Sequence, residues 1–257
     1  MRTSILIALS FSLLACSRQS PAPAVAPPGR AETPHTQALE VGAQVLQRTA
    51  PLAGMDIHLV GFHPMKDDPH RQMEAHHFCR QVNEDFAQCA LFDGDGTQAN
   101  LTGVEYIISE AQFLKLPAAE RRYWHPHNGE ILTGQLSAPN LPLAAEKQLM
   151  RGKMNSYGKT WHTWHSADGV APGDALPLGE PMLAWSFNRD GEADPALIAR
   201  RDRAATYSTA QRRADRQDLT ALARPQQGVD ALRASFPAAT PVPGVVEAAA
   251  ADDGVKP

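Results

Sequence analysis

The chain lacks the charge that a nucleic-acid partner requires. Its 257 residues carry 24 Lys and Arg against 28 Asp and Glu, a formal net charge of −4. No basic stripe marks its centre, so DNA and RNA are excluded on electrostatic grounds. The chain also lacks an apolar run of the ~20 residues that a bilayer-spanning helix needs. No internal repeat is visible, which excludes solenoids and propellers. Neither a nucleophile elbow, nor a phosphate-binding glycine loop, nor a zinc-protease motif occurs, which removes three familiar routes to catalysis. Cysteine is scarce at three residues. The only close pair, Cys79 and Cys89, lacks the tight spacing of structural zinc sites.

What is present begins with Met1-Arg2 and the short apolar run "ILIALSFSLLA", Ile5 to Ala15. This pattern reads as a signal peptide over residues 1–15. "LLAC" resembles the lipobox of bacterial lipoproteins and makes Cys16 the expected lipid-attachment residue. Two or more acyl chains there would anchor the protein stably. Ser17 after the cysteine fits an outer-membrane lipoprotein of the bacterial envelope facing the periplasm. The 21 prolines cluster toward the two ends. Residues 16–50 therefore read as a Pro/Ala-rich tether and residues 236–257 as a disordered tail.

Between these flanks, 43% hydrophobic residues suffice for one core. "MDIHLVGF" from Met55 and "ANLTGVEYIIS" from Ala99 read as strands. So do "NGEILTGQLSAP" from Asn128 and "PMLAWSFN" from Pro181. Ser109 followed by Gln112 predicts a capped helix, and Pro142 to Tyr157 a second, with Gly158 placed to end it. Asp194-Pro195 opens a third, running toward Ala223. Its many arginines and few large apolar residues predict a solvated helix. The sum is a single α+β domain over residues 51–190, with an antiparallel or mixed sheet and a few helices. A polar helical extension is expected over 191–235.

The densest chemistry lies in "HHFCRQVNEDFAQC", His76 to Cys89. As a helix, this segment would hold Cys79 and Cys89 about 15 Å apart, beyond disulfide reach. As a hairpin turning at Asn83–Asp85, it would set them directly opposite, with His77 on the same face. A disulfide is open to the second arrangement only, and buried reduced thiols to either. "YWHPHNGE" adds His125, His127 and Glu130, and "YGKTWHTWH" adds His162 and His165. The H-x-H-x2-E spacing departs from the cupin metal motif, and on a strand Glu130 would point away from the two histidines. Glu105 interrupts an otherwise apolar strand, where a neighbouring Arg or His is its expected partner. His77, His125, His127 and His162 are the candidate ligands should these segments converge.

Taken in order, "HHFCRQVNEDFAQCALFDG", "LTGVEYIISEAQFLKLPAAERRYWHPH", "YGKTWHTW" and "LPLGEPMLAWSF" resemble the oil body-associated proteins of plants and their bacterial relatives. Their shared region is described as a domain of unknown function. The resemblance spans roughly residues 51 to 203. It implies association with lipid surfaces, with no established catalysis and no cofactor. It also implies reduced thiols at Cys79 and Cys89, because the plant members are cytosolic and hold both cysteines. The expectation is a lipid-anchored envelope protein acting as a lipid-associated binding or structural module rather than an enzyme. Its partners would be the membrane and lipids. The alternative is a protein or enzyme using a divalent metal in a histidine-lined pocket.

Overall fold

The computed structural model describes residues 25–47, 52–166 and 173–249. The expected signal peptide, Cys16 and the first part of the tether lie outside these residues. The later part of the tether is not extended. Thr33 accepts a hydrogen bond from the Thr36 N–H, Pro34 occupies the first turn, and helix α1 (Pro34–Leu46) follows.

Strands β1 (Ile57–Met65), β2 (Asp68–Asn83), β3 (Phe86–Phe92) and β4 (Leu101–Ile108) form an antiparallel meander. Helices α2 (Glu110–Phe113) and α3 (Ala118–Arg121) lead to β5 (His125–Pro126). Helices α4 (Asn128–Leu132) and α5 (Leu143–Lys153) lead to β6 (Tyr157–His162). The sheet order is β1-β2-β3-β4-β6-β5, and β7 (Met182–Leu183) also pairs with β6. The segment around β7 joins the two ends of the sheet. Ala184 donates to the Thr160 carbonyl of β6, while Trp185 donates to Pro64 and receives its partner strand from β1. Lys66 in turn donates to Leu183. The sheet therefore curls closed at this end, which satisfies backbone groups that an open edge would expose.

Side-chain alternation decides what the curl encloses. Ala75, His77 and Cys79 of β2, Ala87, Cys89 and Leu91 of β3, and Glu105 and Ile107 of β4 are buried. Most of their chain neighbours are partly or fully exposed. The segment His76 to Cys89 is a hairpin, with Cys79 paired to Cys89 and His77 to Leu91. A register shift beside Val82 gives Phe86 the partner Asn83. The two cysteines form a disulfide. This corrects the expectation of reduced thiols: directly opposed positions bring the two sulfur atoms within bonding reach. Ser109 caps α2 as expected, and Phe113 stacks on Tyr157 with ring centroids 3.6 Å apart.

Four expectations change. Residues 128–139 are not a strand: α4 opens the segment, and Gly134 at φ 79° turns the chain in the left-handed region. Gly158 does not end a helix but sits within β6.

The supposed solvated helix is two, α6 (Pro195–Ala204), capped by Asp194, and α7 (Thr209–Asp215). Two of its arginines, Arg201 and Arg216, turn inward. Arg216 donates to the carbonyls of Ile131 and Leu136 and pairs with Glu146 at 2.8 Å. Arg201 donates to the carbonyl of Gln135 and to Ser137 Oγ. The carbonyls that follow a helix as short as α4 need donors, and these guanidiniums supply them.

Residues 236–249, read as tail, belong to the domain. β8 (Arg189–Asp190) pairs with β9 (Thr240–Pro241), and Val242 and Val245 join the main core beside Leu132, Leu219 and Val229. The domain thus runs past residue 190 to at least 249.

Candidate metal centre

The curled sheet brings six titratable side chains to one buried place. Glu105 lies at its middle, projecting from β4 at a position paired with Cys89 on one side and Thr160 on the other. His77 of β2 places Nε2 3.0 Å from Glu105 Oε2. His125 of β5 and His127, the residue before α4, place their Nε2 atoms 3.5 and 3.4 Å from Oε1. The turn of α4 then carries Glu130 back, so that its Oε1 is 3.9 Å from His127 Nε2. An i, i+3 pair shares one face of a helix, which is why Glu130 does not point away as a strand would require. His63 of β1 completes the group, packed edge-on against His77 with ring centroids 5.0 Å apart.

Donors fall into two triads that share Glu105: His63 with His77, and His125 with His127. Each residue in them is 3% exposed or less. Edges of about 3.0–3.5 Å are those of a coordination polyhedron with metal–ligand bonds near 2.0–2.2 Å. The backbone leaves space for this and for little else. A Cβ at Gly158 would lie 2.3 Å from Glu105 Oε1 and 2.6 Å from His125 Nε2.

The far ring nitrogens are held from outside, as in metal sites whose imidazoles are oriented by an outer layer of partners. His77 Nδ1 bonds the Ala75 carbonyl at 3.1 Å. His127 Nδ1 bonds Ser156 Oγ at 2.7 Å, and Ser156 donates its own proton to the Lys153 carbonyl. His63 Nδ1 bonds His162 Nε2 at 2.9 Å. Neither ring nitrogen of His125 has a hydrogen-bond partner among the described residues, nor has Glu130 Oε2.

Electrostatics suit a cation. Burial alone would raise the Glu105 carboxyl. The charge influence of His77 and the close polar contacts of His125, His127 and His77 outweigh it and hold Glu105 well below the usual range. Burial pushes His127 down to about 4, against the opposing effect of Glu105. It likewise pushes His162 down to about 3, helped by His165 and His77. Burial and the Glu105 charge raise Glu130 well above the ordinary carboxyl range. At neutral pH the site sets an ionised Glu105 beside an uncharged His127, a donor pair that suits a metal.

Three of the four histidines expected to converge do so directly: His77, His125 and His127. His162 stands one layer out and orients His63. His63 was not singled out from sequence, although "HLVGFH" repeats histidine within a strand. Glu105 was legible as a charge inside an apolar strand, and its partners are histidines, as one of the two options required. Cys16 lies outside the described residues.

Such a site, inside a curled antiparallel sheet closed by an Arg-fastened C-terminal segment, defines a class: a histidine–carboxylate pocket protein of α+β fold. The family follows from comparison. A family model described as "Protein of unknown function (DUF1264)" matches residues 49–220. Oil body-associated protein 1A of Zea mays is 44% identical over 165 residues, covering 64% of this chain and 68% of that protein. Oil body-associated protein 2A of Zea mays is 39% identical over 205 residues, covering 79% and 80%. Oil body-associated protein 1B of Arabidopsis thaliana is 37% identical over 171 residues, covering 66% and 69%. The chain belongs to the oil body-associated protein family. No solved structure matches it.

Proposed function

We propose that this protein is a metal-binding module that holds a divalent transition-metal ion between Glu105, His125 and His127. One observation carries the reading. The Ser156 proton is committed to the Lys153 carbonyl, so Ser156 Oγ accepts from His127 Nδ1–H. A His127 with its pKa near 4 is neutral at pH 7, which leaves a lone pair on Nε2. That lone pair faces an ionised carboxylate oxygen 3.4 Å away. Two acceptors face each other in a water-poor interior, and a cation between them removes the conflict. Imidazole and carboxylate donors suit zinc, iron, nickel or manganese. Metal analysis of the untagged protein tests the proposal. About one equivalent or more is expected, with depletion in Glu105→Ala and His127→Ala. Substoichiometric metal, together with a melting temperature unchanged by chelator, would defeat it.

A second reading, contact with a lipid surface, rests on a different observation. Helix α1 exposes Leu39, Val41, Val45 and Leu46 and buries none of its residues. Relatives carry oil-body association in their names. No helix among the described residues is long and apolar enough to cross a membrane. Contact would therefore be interfacial, through α1 and through a lipid on Cys16. Cosedimentation with liposomes tests it, with Leu39→Asp/Val45→Asp expected to weaken binding. Equal binding by that variant and by Cys16→Ser would refute it.

A further inference from the structure

We infer that the pocket holds two metal ions, not one, with Glu105 as the bridge between them. This rests on the metal-binding reading above and extends it to a second ion held by His63, His77 and Glu105 Oε2.

The carboxylate is shared by its two oxygens. Oε1 meets His125 and His127, whereas Oε2 meets His77 at 3.0 Å. The two triads approach from different parts of the sheet, His63 and His77 from β1 and β2, His125 and His127 from β5 and the start of α4. A bridging carboxylate between ions about 3.5–4 Å apart is the geometry of two-metal centres.

The second triad repeats the proton pattern of the first. His77 Nδ1 can only donate to the Ala75 carbonyl, so its proton is placed there. Nε2 is then the atom turned to Glu105 Oε2, 3.0 Å away, and an ion there would be reached by His77, His63 and the carboxylate together. His63 lies alongside, fixed through Nδ1 by His162, with its other ring nitrogen left for a ligand bond. His162 in turn is 1% exposed, with its ring centroid 5.2 Å from that of His63. Its burial is explained if it orients a ligand.

Glu130 gives the first ion a further donor. Its Oε2 is buried and has no hydrogen-bond partner among the described residues. Two dications opposite Glu105 and Glu130 still leave excess positive charge. Hydroxide formed from metal-bound water, whose acidity the ions raise, would offset it in the remaining positions.

Titration of the full-length, untagged protein with Zn²⁺, followed by native mass spectrometry, tests the inference. Saturation at two ions is expected for the wild type. His77→Ala and His127→Ala should each saturate at one, and Glu105→Ala should bind neither tightly. A wild type that stops at one ion, with His77→Ala also at one, overturns the second site and leaves the first standing. A wild type that binds none removes both. Folding defects in the variants are bypassed by Mn²⁺ loading of the wild type. Magnetic coupling in the electron paramagnetic resonance spectrum at two equivalents supports a carboxylate-bridged pair. Two uncoupled signals, or one signal only, refute it.

Discussion

Replacing Gly158 by alanine is the sharpest probe of the pocket, because it adds a single carbon and removes no donor. The new Cβ would sit 2.3 Å from Glu105 Oε1, 2.6 Å from His125 Cε1 and 2.6 Å from its Nε2. Ordinary contact begins near 3.4 Å, so the carboxylate must retreat by about 1 Å, the difference between 3.4 and 2.3. Neither neighbour has free space to retreat into: Glu105 is 2% exposed and His125 is fully buried. Overpacking of this kind costs about 1–3 kcal/mol. At 2–4 °C per kcal/mol for a domain of this size, the melting temperature should fall by roughly 2–12 °C. A metal site tolerates donor shifts of about 0.2 Å. A displacement several times larger should lower metal affinity by at least the 10–100-fold typical of disturbed outer partners. Differential scanning fluorimetry with and without chelator, combined with metal analysis, reads both effects. A Gly158→Ala protein that melts with the wild type and keeps its metal would show that Glu105 and His125 do not occupy the space beneath residue 158.

Three further outcomes are expected. Glu146→Ala should destabilise the fold by about 3–5 kcal/mol in urea titrations, because it strands the buried Arg216 guanidinium and frees the partly buried Arg212; a loss below 1 kcal/mol would contradict the ion-pair network. Cys79→Ser/Cys89→Ser should cost about 2–3 kcal/mol, the chain-entropy value for so short a loop. Thiol counting on the unfolded, unreduced wild type should then find neither cysteine free. His58, pushed down to about 4 by burial and by His76, takes up its proton in the unfolded chain first, near 6.5. Its contribution is therefore fully present above pH 6.5 and is lost as pH falls toward 4. In chelator-treated protein, His58→Phe should flatten that part of the stability profile, and an unchanged profile would refute the assignment.

The sheet was readable because its strands are short apolar runs between turn formers. The runs from Met55 and from Ala99 are rich in aliphatic residues and bounded by turn formers, and the pairing of Cys79 with Cys89 follows once the hairpin is chosen. Choosing it was not possible from periodicity alone, since the same residues also make a helical stripe. His125 and His127 were visible as a pair, but the helical turn that returns Glu130 to them depends on packing of Gly129 against Phe187 and Asn188 and on the bonds of Asn128 to Arg224 and Gln226. His63 escaped notice because one histidine in a strand has no local signature. Its role comes from β1 lying beside β2, a long-range fact. Arg201 and Arg216 misled for the opposite reason. On a helix their spacing looks solvated, and only the carbonyls of residues 131–136, far away in sequence, explain their burial. The valines at 242 and 245 were likewise hidden among prolines and alanines.

The late position of the residues that roof the pocket sets an order of events. Gln226 accepts from the Asn128 N–H, next to His127, and donates to the Ser156 carbonyl. Gln226 is itself fixed by Val246 and Ala248 through backbone hydrogen bonds. A growing chain that has already paired β1 to β6 still lacks these contacts beside His127 and Ser156 until residues 226–248 arrive. Pairs of such long sequence separation form late. Ion capture would thus be timed by docking of residues 224–248: an ion entering before it could leave again, and one present when they dock would be held. The rate of metal loss should then track local opening of residues 224–248 and not the intrinsic strength of the metal–ligand bonds.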